Sequence, residues 1–278
     1  MARLYAKLVL TSPLSTTATI SRSLLALGMT LAVAACVNSP TGRSQFKLYS
    51  DQKMSKAGDQ SYKKLRKQKQ IDHNKANNRF VSCVVKNLSR VTKHKWRVTV
   101  FKSDQANAFA IPGGNIGVYS GILPVTHNDA QLAAVLGHEM GHVRSGHANE
   151  RMSQKAATSV GLSVLSAAIG SQTGGIGQRS IMGLLGTGAK IGVLLPFSRA
   201  QEAEADRIGL DLMAKAGFDP RQAVNLWRNM AEQGGEKPPQ LLSTHPSDRN
   251  RIQNLEKHMT KALAIYRRAP RHPNCQHP

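Results

Sequence analysis

Residues 128–142 read Asn128-Asp-Ala-Gln-Leu-Ala-Ala-Val-Leu-Gly-His-Glu-Met-Gly-His142. Leu132, Val135, Leu136 and Met140 recur at helical spacing, and Asn128 or Asp129 can cap the start. On such a helix His138 and His142 stand one turn apart and about 40° around the axis, so their rings converge on one point. Neutral imidazole is a good zinc ligand, and three protein ligands with a water in the fourth position make a catalytic rather than a structural zinc site. Glu139 follows the first histidine, reaches the attacking water instead of the ion, and is the general base this pattern supplies. Gly141 gives room to the backbone or the metal. The chemistry implied is peptide-bond hydrolysis with one Zn2+ per chain.

The third ligand must come from elsewhere. A motif extended along the same helix would need Gly and His where the chain has Ser145 and Ala148. His147 lies nine residues past His138 and, on a continuous helix, faces away from the ion. Ser198-Arg-Ala-Gln201 is a capping box that opens a second helix running to about Lys215. Its first turns carry Glu202-Ala-Glu204-Ala-Asp206. Glu202 and Asp206 share a face, so one can bind zinc while the other accepts the free ring N–H of a liganding histidine. Spacing alone does not say which does which. Glu204 sits about 200° from Glu202 and points elsewhere.

The rest of the chain frames these helices. Helical spacing is weak from Ser50 to about Gln70 and clear over Asn77–Val91. Trp96–Phe101 alternates like a strand. Asn107–Ile111 and Ile116–Tyr119 read as two more strands around the Pro112-Gly113-Gly114-Asn115 turn. Residues 156–195 are rich in Gly, Ala and Ser and read as two helices broken near Gly170–Gly177. After Gly217 a helix capped by Asp219-Pro220 runs to Gly234-Gly235. Ser243-Thr244-His245-Pro246 then precedes a last helix ending about Arg267. The pattern predicts an α+β, mainly helical domain with a small mixed sheet above the His-bearing helix.

Charge and cysteines bound the setting. The 278 residues carry 38 Lys and Arg against 16 Asp and Glu, a net charge of +22. Arg3, Lys7 and Arg22 are the only charges before an apolar run, Leu24–Ala35, that leads straight into Cys36. This is the layout of a secretory leader, and Val33-Ala-Ala-Cys36 looks like a bacterial lipobox whose cysteine is acylated. Val37 rather than Asp after that cysteine favours the outer membrane. The expected organisation is a signal peptide (1–35), a lipidated tether (36–49), the metalloprotease domain (50–267) and a basic tail (268–278). Export argues against a nucleic-acid partner and directs the positive field at a membrane surface. An oxidising compartment would permit a bridge between Cys83 and Cys275, without which the tail is expected to be loose.

The set formed by His138-Glu-Met-Gly-His142, Phe197-Ser-Arg-Ala-Gln-Glu-Ala-Glu-Ala-Asp206 and Ser243-Thr-His-Pro246 resembles the HtpX/CAAX-prenyl-protease type of gluzincin. Within it, the chain is most similar to the group of periplasmic metalloproteases that includes BepA, LoiP and YcaL. The likeness covers roughly residues 50–266. It implies a zincin-like fold in which His138, His142 and Glu202 bind zinc, Glu139 is the base and Asp206 orients His138. It implies that His245 approaches the metal, either closing the open position or steadying the transition-state oxyanion. It also implies that Asn107, Ala108, Phe109 and Ala110 form an edge strand along which an extended substrate aligns. Implied substrates are misfolded or stalled envelope proteins, with outer-membrane assembly machinery as a possible partner. The alternative is an assembly chaperone with a largely latent site. The large repeat domain of BepA has no counterpart here, so docking through such a domain does not carry over.

Overall fold

The computed structural model describes residues 36–168, 197–232 and 251–278, with Leu241, Ser243 and His245 between the last two stretches. The expected leader, most of the Gly- and Ala-rich stretch with its break near Gly170–Gly177, and the expected helix end at Gly234-Gly235 lie outside the described residues. In order come β1 (Cys36–Asn38), β2 (Ser44–Phe46), α1 (Asp51–Gln68), α2 (Lys75–Thr92), β3 (Arg97–Phe101), β4 (Ala108–Ile111) and β5 (Asn115–Tyr119). Then follow α3 (Asp129–Arg144), α4 (His147–Ala168), α5 (Arg199–Lys215), α6 (Arg221–Glu232) and α7 (Arg251–Arg267). The class is α+β and mainly helical, as the sequence predicts. Among these residues no helix is long and apolar enough to cross a membrane.

The sheet has the order β3-β5-β4, with β3 parallel and β4 antiparallel to β5. Among the described residues β4 is therefore an edge, its outer side free of strand partners and turned toward α3. Asn107 falls just before β4, where its carbonyl accepts from the Tyr119 N–H at 3.0 Å. α3 is capped by Asn128, whose side chain accepts from Gln131 N, and every residue from Ala130 to His142 is buried. The apolar stripe packs into the core with Phe80, Val84, Leu88 and Ile116. The other side of α3 is also enclosed, because small residues there admit a neighbouring backbone.

That neighbour is α5, held by its capping box at Ser198 and Gln201. A Cβ on Gly209 would lie 2.7 Å from His138 N, and one on Gly141 would lie 2.9 Å from the Ala205 carbonyl. The two helices thus meet backbone to backbone, and Gly141 makes room for a helix rather than for an ion. This contact sets the acids of α5 over the histidines of α3.

Residues 36–46, expected as part of a tether, form an antiparallel β-hairpin. Ser39 and Gly42, the latter at φ +85°, close its turn. The hairpin is held down by polar contacts: Gln45 Nε2 donates to the Ser145 carbonyl just after α3 at 2.7 Å, and Arg43 donates to Glu150 on α4 at 2.7 Å and to Glu204 on α5 at 2.8 Å. At the other end Cys83 and Cys275 form a disulfide. Cys275 N also donates to Asp129 Oδ2 at 2.9 Å, so the tail is tied across the start of α3.

Candidate metal centre

His138 and His142 meet as their spacing requires, with Nε2 atoms 3.0 Å apart. The Glu202 carboxylate stands 3.4 Å from His138 Nε2 and 3.5 Å from His142 Nε2. All three side chains are buried. His245 joins them from the loop before α7, its Nδ1 2.9 Å from Glu202 Oε1 and 3.2 Å from His138 Nε2. One ligand atom from each of these four residues lies within 4.8 Å of every other.

The ring partners behind this cluster decide its chemistry. His138 Nδ1 is 2.8 Å from Asp206 Oδ1, which fixes the N–H on that side and leaves Nε2 facing His142 and Glu202. His142 Nδ1 is 2.8 Å from His147 Nδ1, so His142 likewise presents Nε2 inward when Nδ1 donates. With both rings neutral, two nitrogen lone pairs and a carboxylate face one enclosed point, an arrangement that can hold a cation. Nitrogen and oxygen donors in a tetrahedral set suit zinc. Burial pushes His142 well below its usual range, keeping it neutral, while the imidazoles of His138, His142 and His245 outweigh burial and hold Glu202 ionised.

Glu139 stands beside the cluster. Its Oε2 accepts from Ala110 N on edge strand β4 at 3.2 Å. Its Oε1 is buried without a hydrogen-bond partner among the described residues, and His245 Nε2 stands 3.2 Å away outside bonding geometry. An unsatisfied carboxylate oxygen facing the donor set is where a water to be deprotonated would sit. Phe197 stacks on the His142 ring with centroids 3.8 Å apart, and the Arg151 guanidinium lies 3.6 Å from the Phe197 ring.

Residues 73–259, about two thirds of the chain, match peptidase family M48. The chain belongs to that family. Among its M48 relatives, the "Mitochondrial metalloendopeptidase OMA1" of Schizosaccharomyces pombe is 38% identical over 188 residues, which cover 66% of this chain and 53% of the relative. The "Beta-barrel assembly-enhancing protease" of Yersinia pestis is 37% identical over 177 residues, 59% of this chain and 36% of the relative. Its Escherichia coli namesake is 34% identical over 161 residues, 55% and 32% respectively. The chain thus spans about half the length of the first of these relatives and about a third of the other two.

Two residues that touch this cluster were not found from the sequence. Arg251, at the start of α7 and only 4% exposed, donates through Nη1 to Glu202 Oε2 at 3.1 Å and through Nη2 to Asp206 Oδ1 at 2.7 Å. Its guanidinium lies 3.5 Å from the centre of the Trp227 ring. His147, excluded as a ligand, stands directly behind His142. Gly146 adopts φ +66° and ends α3, so His147 opens a new helix and the nine-residue rotation does not apply.

Metal binding in this site is expected to release a proton. Burial and the Arg251 charge lower the His138 pKa, but hydrogen bonds to Asp206 and Glu202 outweigh them and raise it to about 9. Without metal, the ring is therefore imidazolium below about pH 9. It must give up its inward proton to act as a ligand. Zinc affinity should rise about tenfold per pH unit up to about pH 9 and level off above, with close to one proton released per zinc near neutrality. Calorimetry in buffers of different ionisation enthalpy measures that number.

Proposed function

We propose that this chain is a zinc endopeptidase that cleaves unfolded or misassembled proteins on the periplasmic side of a bacterial membrane. Membership of M48 supports the peptidase class. The observation that carries the mechanism is the meeting of two imidazole nitrogens and a carboxylate beside an unsatisfied Glu139 oxygen and a sheet edge. His138, His142 and Glu202 are the residues to hold zinc, and Asp206 sets the His138 tautomer. Zinc bound there would acidify water and polarise a peptide carbonyl. Glu139 takes the water's proton and afterwards delivers it to the leaving amine. β4, from Ala108, can align an extended backbone, and that mode selects unfolded segments because it reads main chain more than side chains.

The envelope setting rests on other features. The Leu24–Ala35 leader running into Cys36 fits export and lipidation, and the Cys83–Cys275 disulfide suits an oxidising compartment. Residues 36–278 carry a net +19, which favours anionic lipid surfaces. The name of the Yersinia pestis relative extends this to β-barrel assembly.

His245 sits inside the donor set, so a four-ligand closed state is within reach, and closed sites are latent. This favours, as a second reading, an assembly factor whose protease site is mostly shut. One assay tests the protease reading. Zinc-loaded wild type should cleave casein, and His245→Ala should cleave it faster, in proportion to the population that the histidine holds closed. Zinc-loaded protein that leaves casein intact in both forms rules the protease reading out.

A further inference from the structure

We propose that Arg43 of the β1–β2 hairpin is a positioning residue for the metal site, acting on His142 through Glu204 and His147. This rests on the reading of His142 as a metal ligand.

The contacts are continuous. His142 Nδ1 is 2.8 Å from His147 Nδ1, and His147 Nε2 is 3.2 Å from Glu204 Oε2. Glu204 Oε2 accepts from Arg43 Nε at 2.8 Å, and Glu204 Oε1 accepts from Thr41 Oγ1 at 2.7 Å. Only one proton arrangement satisfies every pair once His142 offers Nε2 to a metal. His142 Nδ1–H then donates to His147 Nδ1, and His147 Nε2–H donates to Glu204. His138 is oriented by a carboxylate directly, whereas His142 is oriented by a carboxylate one imidazole further back.

Glu204 is fully buried, and its place is set from the hairpin. Arg43 makes a forked pair with Glu150 on α4, Nη1 to Oε1 and Nη2 to Oε2 both at 2.7 Å, while its Nε holds Glu204 on α5. Gln201 Nε2 closes the group onto Glu150 at 2.7 Å. Without the guanidinium, two buried carboxylates would share this space with no cation between them, and Glu204 would lose its fixed place behind His147. The hairpin begins at Cys36, so an anchor on that residue would bear on a metal ligand through this chain of side chains.

The test uses the full chain as wild type, Arg43→Ala, Arg43→Lys, Glu204→Gln and the Arg43→Ala/Glu204→Gln double variant. Zinc affinity is measured by competition with a chromophoric chelator, and the visible spectrum of the cobalt-loaded protein reports ligand geometry. Arg43→Ala should weaken zinc binding about 10-fold, the lower end of what an outer partner of a ligand contributes, and shift the cobalt bands at unchanged stoichiometry. Arg43→Lys should recover part of the loss. Arg43→Ala should cost less on Glu204→Gln than on wild type, because the neutral amide has already lost the charge that binds residue 204 to the guanidinium. Arg43 is 26% exposed at its side chain, so its variants should fold even where Glu204→Gln does not, and circular dichroism checks this. Wild-type affinity and spectra in Arg43→Ala, or purely additive losses in the double variant, overturn the proposal alone. Wild type that takes up no zinc overturns it together with the metal site.

Discussion

Glu139→Gln is expected to cut casein cleavage by roughly 100- to 10,000-fold while zinc content stays at the wild-type value. The substitution keeps shape and removes only basicity. Glu139 is not among the four donors that surround the metal point, so its loss leaves the ligand set intact. Its Oε2 contact is to the Ala110 N–H, which an amide oxygen accepts as well, so β4 keeps its place. A role in binding would raise KM at constant kcat, whereas a base that acts in the transition state lowers kcat and kcat/KM together. Steady-state kinetics with metal analysis on the same preparations separates the two. Wild-type kcat in a zinc-loaded Glu139→Gln protein would remove Glu139 from the mechanism. If instead Glu139→Gln is inert in vitro yet restores an envelope defect fully, assembly rather than proteolysis is the main task.

Arg251→Ala is expected to lower the unfolding free energy of the metal-free protein by about 3–5 kcal/mol, the usual cost of removing one partner of a buried ionic group. Its guanidinium neutralises Glu202 and Asp206 at once and lies on Trp227, so truncation leaves two buried carboxylates and a vacated aromatic face. Zinc would then take up more of the uncompensated negative charge, and the gain in melting temperature on adding zinc should be larger in Arg251→Ala than in wild type. Arg251→Lys should recover only part of the loss, because one ammonium cannot span both acids as a fork does. Urea unfolding with and without a chelator measures both effects. A loss below about 1 kcal/mol would place Arg251 at the solvated margin of the site.

The parts of the site that were legible in the sequence are those fixed by local geometry. Two histidines one turn apart converge whatever surrounds them, and the capping box dates the start of α5, which puts Glu202 and Asp206 on one face. Strand alternation and the Pro112–Asn115 turn likewise gave the sheet, with β4 starting one residue later than expected. What escaped depends on distant partners. Arg251 opens a basic C-terminal helix and reads as surface until Glu202, 49 residues earlier, is brought against it. The hairpin reads as a tether in sequence because its anchors lie far off, Glu150 at 107 residues and Glu204 at 161 from Arg43. A turn signal was present in Ser39-Pro40-Thr41-Gly42, but no strand pattern flanks it. His147 was misjudged in direction because one glycine with positive φ restarts the helix.

The proposed chemistry requires a single cation held between α3 and α5. A crystal structure of the full chain with anomalous data collected at the zinc edge tests this most directly. The expected result is one peak about 2.0–2.2 Å from His138 Nε2, His142 Nε2 and a Glu202 carboxylate oxygen. A map with no peak there, or a peak bound by other residues while Glu202 turns away, would contradict it.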